Sequence, residues 1–467
     1  DGIPLWWVFE RFITNSLLPK PFASFNDISK GWAEGIAPSG SWIKRAVMTR
    51  AFIVQERLKW RSARKLLPTP AKKILFLTYS NHIFHEHGTS RFYRTDAVIK
   101  KLKEDGSEPF VVVIDPLSKR RSSTTLPMIY DFMSPEVKRK AKIVAGQLAE
   151  NWRGFSLGDK LQLMMDADKS LYPYVRDHIE FFFSEQFLRI FLTYYFAIKD
   201  MVALNNVRAI YLTASIGLFE KCCLMIGKLL DIAVYVAQHG SGVGFGKVHS
   251  KLMPAAFLVF GEKHKELLLA QGVAANRIIV TGSPMVDEIV PAAKSKGLTA
   301  VLLLTQPFVE DALWTPAQRT EFFSKVHEMR RVFAQVTFTI KIHPRENKEL
   351  YEKEFLGIRI ADTNLYDEIK AADLVVGVTS TALMESVLLN RPVIVLDLFS
   401  QATAESHVAL GLSKRVIEIV PEDIEDYITF YRSAAFDRKR DEYVKMYFHK
   451  LDGKSAQRIA AIITDQL

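Results

Sequence analysis

A short polar segment in the C-terminal half has the composition of a phosphate-binding loop. His343-Pro344-Arg345 follows an apolar, β-branched run at 337–342, and a helical pattern begins near Lys348. Open α/β sheets bind nucleotides at the carboxyl ends of their strands. His343 can hydrogen-bond a phosphate or a base, and Arg345 can pair with a phosphate through two parallel bonds. The alternative is a turn histidine beside a solvent-exposed arginine.

A second segment, Thr379-Ser380-Thr381, lies where a predicted strand at 374–377 gives way to a helix. The first amides of a helix and nearby hydroxyl groups form a cradle for an anion, and a diphosphate fits this chemistry. Glu385 follows about one helical turn later, where its carboxylate could accept the ribose hydroxyls. The alternative is that Ser380 or Thr381 only caps the helix.

In the N-terminal half, His239 follows a predicted strand at 234–237 and precedes a glycine-rich turn at 240–244. An imidazole titrates near neutral pH, so His239 is our candidate general base for an acceptor hydroxyl. The glycines would let the backbone approach a ligand closely. The alternative is a histidine that only forms the turn.

Another polar cluster, His85-Glu86-His87, follows the first predicted strand, and Arg91 and Arg94 come soon after. The order of these residues does not place two histidines one helical turn apart, as a His-Glu-x-x-His zinc site would require. We therefore predict no metal site, and we predict that His85, Arg91 and Arg94 bind an anionic acceptor.

Short apolar runs alternate with helical patterns along most of the chain, which favours parallel sheets covered by helices on both faces. The predicted strands are 74–78, 111–115, 209–213, 234–237, 257–260, 301–305, 337–342, 358–361, 374–377 and 393–397. The predicted fold class is therefore α/β, with two doubly wound, Rossmann-like domains that face a cleft.

The domain boundaries follow from these patterns. We predict an N-terminal Rossmann-like acceptor domain at 73–282, interrupted by a helical insertion at 117–207, and a C-terminal nucleotide-donor domain at 283–420. We expect residues 421–467 to form amphipathic helices that brace the first domain. We expect residues 1–72 to form a basic, amphipathic helical extension.

The charge composition of the chain indicates which kinds of binding partner to expect. The formal net charge is +10, from 62 basic and 52 acidic residues, and this charge attracts anionic ligands or surfaces. The extension combines Trp6 and Trp7 with a basic helical pattern at 43–66, as in segments that bind anionic membranes. The alternative is a helix that packs on the main body. Nucleic acid is not an expected partner.

Location is predicted from the cysteines and from hydropathy. Cys222 and Cys223 are the only cysteines, and they are adjacent, which excludes a disulfide framework. No secretory signal pattern is present, and no uninterrupted apolar stretch is long enough to cross a membrane. We expect a cytoplasmic protein that is peripheral on the inner face of the membrane.

Several pieces together resemble the GT-B superfamily of glycosyltransferases. They are Gln238-His239-Gly240, Val280-Thr281-Gly282-Ser283-Pro284, His343-Pro344, Thr379-Ser380-Thr381 with Glu385, and Arg391-Pro392-Val393-Ile394. Within it, residues 73–420 are similar to capsule and teichoic-acid transferases, including CDP-glycerol glycerophosphotransferases and bacterial polysialyl and Kdo transferases. The resemblance implies that His343, Ser380 and Thr381 bind the nucleotide and phosphates of the donor. We add Ser283 to the predicted donor-binding residues.

The resemblance also implies the activity. We expect transfer of a sugar or polyol-phosphate unit from a nucleotide-activated donor, linked to CMP, CDP or UDP, to a hydroxyl of a glycan or lipid-linked acceptor. This reaction would serve cell-surface polysaccharide or glycolipid synthesis, with no cofactor and no metal required. Cytidine-linked donors are favoured only through the resemblance.

A second resemblance leaves an alternative open. His343-Pro344-Arg345 and Val280-Thr281-Gly282 are also similar to the non-hydrolysing UDP-N-acetylglucosamine 2-epimerase. This chain has neither the acidic loop nor the Gly-Gly turn of that enzyme, which puts the epimerase acid and base in doubt. A nucleotide-sugar epimerase is therefore the alternative function.

Overall fold

The computed structural model describes residues 54, 72–79, 83–86, 89–92, 94–114, 126–163, 165–166, 169–170, 172–215, 217–239, 252–295, 297–310, 313–399 and 406–465. The predicted extension at 1–72, apart from residues 54 and 72, and the glycine-rich turn at 240–244 lie outside these residues. In chain order, the described strands are β1 (Lys73–Tyr79), β2 (Ile83–Glu86), β3 (Thr89–Phe92), β4 (Glu108–Ile114), β5 (Met165–Asp166), β6 (Lys169–Ser170), β7 (Val207–Leu212), β8 (Ala233–Ala237), β9 (Ala256–Val259), β10 (Ile278–Val280), β11 (Ala300–Leu304), β12 (Thr337–Lys341), β13 (Arg359–Ile360), β14 (Leu374–Gly377), β15 (Val393–Leu396) and β16 (Ser413–Val416).

The helices of the described ranges cover these strands. They are α1 (Asp96–Glu104), α2 (Pro135–Gly154), α3 (Leu157–Leu163), α4 (Tyr172–Phe182), α5 (Glu185–Leu204), α6 (Leu218–Leu230), α7 (Glu262–Ala270), α8 (Pro316–Val332), α9 (Lys348–Glu354), α10 (Leu365–Ala371), α11 (Thr381–Leu388), α12 (Ser406–Ala409), α13 (Pro421–Arg432), α14 (Ala434–Phe448) and α15 (Ser455–Thr464). No helix in the described part of the chain is long and apolar enough to cross a membrane.

Two parallel six-stranded sheets form the centre of the fold. Their strand orders are β10-β9-β8-β7-β1-β4 and β13-β12-β11-β14-β15-β16. Neighbouring residues of one strand join different cores: in β1, Leu75 belongs to one cluster, and Ile74 and Phe76 belong to another. Strands buried on both faces need continuous apolar sequence, which is the pattern that identified them. The predicted α/β fold class with two doubly wound domains is confirmed.

Two edge strands, β10 and β16, were missed by the sequence prediction. β10 has only three residues, and β16 reads Ser-Lys-Arg-Val, with two charged residues in the middle. β10 is apolar but too short to stand out as a strand, whereas the exposed surface of an edge strand allows the charged residues of β16.

The helical insertion contributes to the core of the first domain. Ala141, Ala145 and Ala149 recur every four residues on α2, and this narrow stripe allows close packing against α5. The helical pattern at 178–202 spans two helices in the structure. The chain breaks between α4 and α5, where the Ser184 side chain caps α5 by accepting a hydrogen bond from the Phe187 N–H.

The last helix returns to the first domain. α15 packs against α1, and the Asp287 carboxylate accepts hydrogen bonds from the first amides of α15, at 2.9 Å from Ser455 N and 2.7 Å from Ala456 N. The Arg458 Nε donates to the Thr281 carbonyl at 2.7 Å. Gly282 has φ +81°, and a side chain there would collide with Ser455. The connection between the two domains is therefore tied to α15.

We expect Asp287→Ala to lower the free energy of unfolding by about 1–2 kcal/mol, because the first turn of α15 loses its cap. Asp287→Asn keeps one acceptor oxygen and should lose less. Urea denaturation of the three proteins measures the differences. Equal stability of Asp287→Ala and the unchanged protein would show that this cap contributes nothing.

Candidate donor site

Three strand ends meet at one edge of the second sheet. β11 lies between β12 and β14, with Leu304 opposite both Lys341 and Gly377. The loops that follow these strands therefore start at the same level of the sheet. They carry Thr305-Gln306 after β11, the His343 segment after β12 and the Ser380 segment after β14. The structure thus brings the two segments singled out by the sequence to one edge.

The His343 ring has a defined orientation. The Arg345 N–H donates to the ring Nδ1 at 3.2 Å, so Nδ1 is an acceptor and the neutral ring carries its proton on Nε2. The His343 N–H donates to the Thr305 Oγ1 at 3.1 Å and to the Glu346 Oε2 at 3.2 Å. His343 is half-buried, and the side chain of Arg345 is exposed.

The Glu346 carboxylate holds the His343 loop in place. The sequence did not predict this role. The carboxylate accepts hydrogen bonds from the Thr305 and Tyr351 hydroxyls as well as from the His343 N–H. Burial raises the pKa of the Glu346 carboxyl, and the hydrogen bonds from Thr305 and Tyr351 act against that shift. These bonds join the end of β11 to the loop after β12.

Ser380 is the N-cap of α11, and the bonds that its oxygen accepts leave its hydroxyl proton able to donate. Its Oγ accepts from the Ala382 N–H at 3.1 Å and from the Gln306 Nε2 at 2.8 Å. A serine oxygen has two lone pairs, so its own O–H is left to donate elsewhere. Thr381 is exposed as the first residue of α11. The N-cap alternative and the anion-cradle interpretation are thus compatible.

Glu385 lies inside α11 and is only 7% exposed. Burial raises the pKa of its carboxyl to about 7, and a hydrogen bond with Tyr366 opposes the shift. A carboxyl in this position keeps its proton over much of the neutral range. It can therefore donate a hydrogen bond as well as accept one.

A pocket adjoins the three strand ends. It is a small cleft lined by residues such as Gln306, Glu346 and Tyr351, and the Glu310–Arg319 ion pair also lines it. The Phe308 and Trp314 rings are each only 6% exposed and pack against each other with centroids 4.2 Å apart.

Ser283 occupies a different environment. It is 1% exposed and lies next to Gly282, in the connection tied to α15. Its backbone oxygen accepts a hydrogen bond from the Val286 N–H at 3.1 Å. None of its described contacts is with the three strand ends.

A second polar group lies at the carboxyl edge of the first sheet. His239 follows β8, and its Nδ1 is 3.3 Å from the carbonyl oxygen of Thr213, which follows the neighbouring strand β7. The Arg94 guanidinium contacts both nitrogens of the same ring, and Arg94 has φ +72°. The structure thus joins the predicted base and one predicted acceptor-binding residue.

The remaining predicted acceptor residues are placed separately. His85 pairs with Ser90 in the β2–β3 hairpin. The Arg91 side chain is exposed and forms ion pairs with Asp96 at 3.3 Å and Glu288 at 3.9 Å. Within the described residues, no group of three or more histidine, cysteine or acidic side chains could hold a metal ion.

Two parallel α/β domains, with polar groups at the carboxyl edges of both sheets, define a GT-B-like fold. The sequence model of the Alpha-2,8-polysialyltransferase (POLYST) family matches residues 259–396, which include β11, β12, β14 and their loops. This match supports a glycosyltransferase, the class that the sequence predicted. No curated protein sequence matches the chain significantly.

Solved structures with a similar chain path include epimerases and a polymerase. The UDP-GlcNAc 2-epimerase from Methanocaldococcus jannaschii has a TM-score of 0.48 at 14% identity, over 84% of this chain and 99% of its own. The Neisseria meningitidis UDP-GlcNAc 2-epimerase bound to UDP-GlcNAc has a TM-score of 0.46 at 11% identity, over 84% and 100%. The wall teichoic acid polymerase TagF has a TM-score of 0.45 at 9% identity, over 91% and 95%.

The raised pKa of Glu385 makes stability depend on pH. The folded chain keeps this proton between the ordinary value of 4.5 and about 7, whereas the unfolded chain has lost it. The retained Glu385 proton therefore stabilises the folded chain fully below pH 4.5, and this stabilisation is lost as the pH rises through 7. Between pH 5 and 8, the stability of the unchanged protein should fall relative to Glu385→Gln by roughly 2–3 kcal/mol.

Glu368→Gln is the control. Glu368 is also buried, but the Arg359 guanidinium holds its pKa below the ordinary value. The difference in the free energy of unfolding between Glu368→Gln and the unchanged protein should not change between pH 5 and 8. A flat difference for Glu385→Gln, measured by urea denaturation at several pH values, would contradict the burial argument.

Proposed function

We propose that this chain transfers a sugar or polyol-phosphate unit from a nucleotide-activated donor to a hydroxyl of a glycan or lipid-linked acceptor. The proposal rests on the positions of two hydrogen-bond donors, the Ser380 hydroxyl and the His343 ring N–H. The two residues follow strands that flank β11, at one edge of the second sheet. Both present O–H or N–H groups suited to phosphate oxygens.

The leaving nucleotide gains negative charge during such a transfer, and stabilising that charge is usually the largest contribution to catalysis. The Ser380 hydroxyl and the His343 Nε2–H are the groups that would do so, aided by the positive end of the α11 dipole. Arg345 is exposed beside them and can add a guanidinium. Glu385 would hydrogen-bond the ribose.

On the first domain, His239 would remove the proton from the acceptor hydroxyl. The Arg94 guanidinium contacts both nitrogens of this ring. Arg94 must therefore move from the ring when the acceptor enters, and it would pair with anionic groups of that acceptor.

The family match favours this transferase over the epimerase alternative, because the matched family is named for a transfer reaction. Incubation with UDP-GlcNAc in the absence of any acceptor separates the two functions. Epimerised product would support the epimerase. Product that forms only when acceptor is present would support the transferase.

We expect His343→Ala and Ser380→Ala each to weaken binding of the donor nucleotide by roughly tenfold or more, since each removes a hydrogen bond to a charged group. Calorimetric titration with CMP, CDP and UDP measures the loss. His327→Ala is the control, because His327 is an exposed histidine on α8 that pairs with Glu354 at 3.0 Å. Unchanged affinity in both site variants would remove the three strand ends from donor binding.

For His239→Ala we expect turnover to fall roughly 100-fold or more with donor affinity nearly intact, as for loss of a general base. Initial rates at saturating donor and the titration described above measure the two quantities. Unchanged turnover would exclude His239 from the mechanism.

The acceptor is proposed to lie at an anionic membrane surface, reached through the basic extension. Deleting residues 1–66 should abolish sedimentation with anionic liposomes and leave nucleotide binding in place. Because charges near such a surface contribute about 1 kcal/mol each, binding of the full chain should weaken as salt rises. Failure of the full chain to bind liposomes, or binding that salt does not change, would contradict membrane attraction by the extension.

A further inference from the structure

Thr305 and Gln306 connect the two segments of the candidate donor site. They follow β11, the strand between β12 and β14. Thr305 reaches the His343 loop, 38 residues later in the chain, and Gln306 reaches Ser380, 74 residues later. Adjacent residues of one strand end therefore contact both segments.

Gln306 determines which way the Ser380 hydroxyl donates. Its Nε2 donates to the Ser380 Oγ at 2.8 Å, and the Ala382 N–H supplies the second hydrogen bond that this oxygen accepts. Without Gln306, the serine oxygen has an open lone pair, and its proton is no longer restricted to the remaining direction.

Thr305 has the corresponding role for the His343 loop. Its hydroxyl accepts from the His343 N–H at 3.1 Å and donates to the Glu346 carboxylate, which also receives the Tyr351 hydroxyl. The side chain of Thr305 is buried, so loss of these bonds would not be replaced by bulk water.

We infer that Thr305 and Gln306 are positioning residues of the donor site, which act through His343 and Ser380 to aim their donor groups at the donor phosphates. This inference rests on the proposed function, because it assumes that the three strand ends bind a nucleotide. It goes beyond it by naming the residues that orient the binding groups.

Matched variants test each half of the inference. Thr305→Val and Gln306→Met keep the approximate size of the side chains and remove the hydrogen bonds. Thr339→Val and Gln318→Met are the controls: Thr339 is buried within β12, and Gln318 belongs to the exposed capping box of α8. The readouts are the Kd for CMP, CDP and UDP by calorimetry, the Tm without ligand, and donor KM and kcat.

We expect Thr305→Val and Gln306→Met each to raise the nucleotide Kd and the donor KM about 5- to 10-fold, and to lower kcat as well, because the groups they aim also stabilise charge on the leaving nucleotide. The two controls should keep the Kd of the unchanged protein. The Tm of Thr305→Val should be lower than that of Thr339→Val, because Thr305 loses its bonds to the Glu346 carboxylate and the His343 N–H, whereas Thr339 loses one long bond from Arg359.

A double-variant cycle separates positioning from direct contact. Gln306→Met should weaken binding in the unchanged protein and have no further effect when Ser380 is already alanine. An equal loss in both backgrounds would overturn the inference, since Gln306 would then act independently of Ser380.

Two further outcomes are distinguishable. If His343→Ala and Ser380→Ala lose nucleotide affinity but Thr305→Val and Gln306→Met do not, the inference fails and the proposed function stands. If the unchanged protein binds none of the three nucleotides, both fail.

Discussion

The parallel pairing of β11 with both β12 and β14 is the constraint on which the candidate donor site depends. Because Leu304 is opposite both Lys341 and Gly377, the three loops that follow start side by side. Gln306 and Ser380, and likewise Thr305 and His343, are far apart in sequence but then lie within hydrogen-bonding distance. Displacing β11 along its neighbours would separate Gln306 from Ser380 and Thr305 from His343.

Buried carboxyl groups lie next to the loops at this edge of the second sheet. Desolvation disfavours their charged form, so each needs hydrogen-bond donors nearby. Glu346 has three such donors, which come from the ends of β11 and β12 and from α9. Glu385 has a hydrogen bond with Tyr366, and its pKa is raised further from the ordinary value, to about 7. Glu346 therefore fixes a loop, whereas Glu385 is a buried carboxyl that titrates near neutral pH.

Much of this could be predicted from sequence, because the signals were local. The continuous apolar run of β14 and the Thr379-Ser380-Thr381 turn identified a strand, a cap and a helix from neighbouring residues alone. Thr305 and Gln306 were not identified, since a threonine and a glutamine after a strand have no distinctive pattern. Their role comes from partners 38 and 74 residues away, which only the folded sheet brings close.

A structure of the chain with CDP or UDP bound would test the central claim most directly. The account predicts phosphate oxygens within hydrogen-bonding distance of the Ser380 Oγ and the His343 Nε2, with the Gln306 bond to Ser380 retained. A nucleotide bound entirely at the edge of the first sheet, near His239, would contradict it.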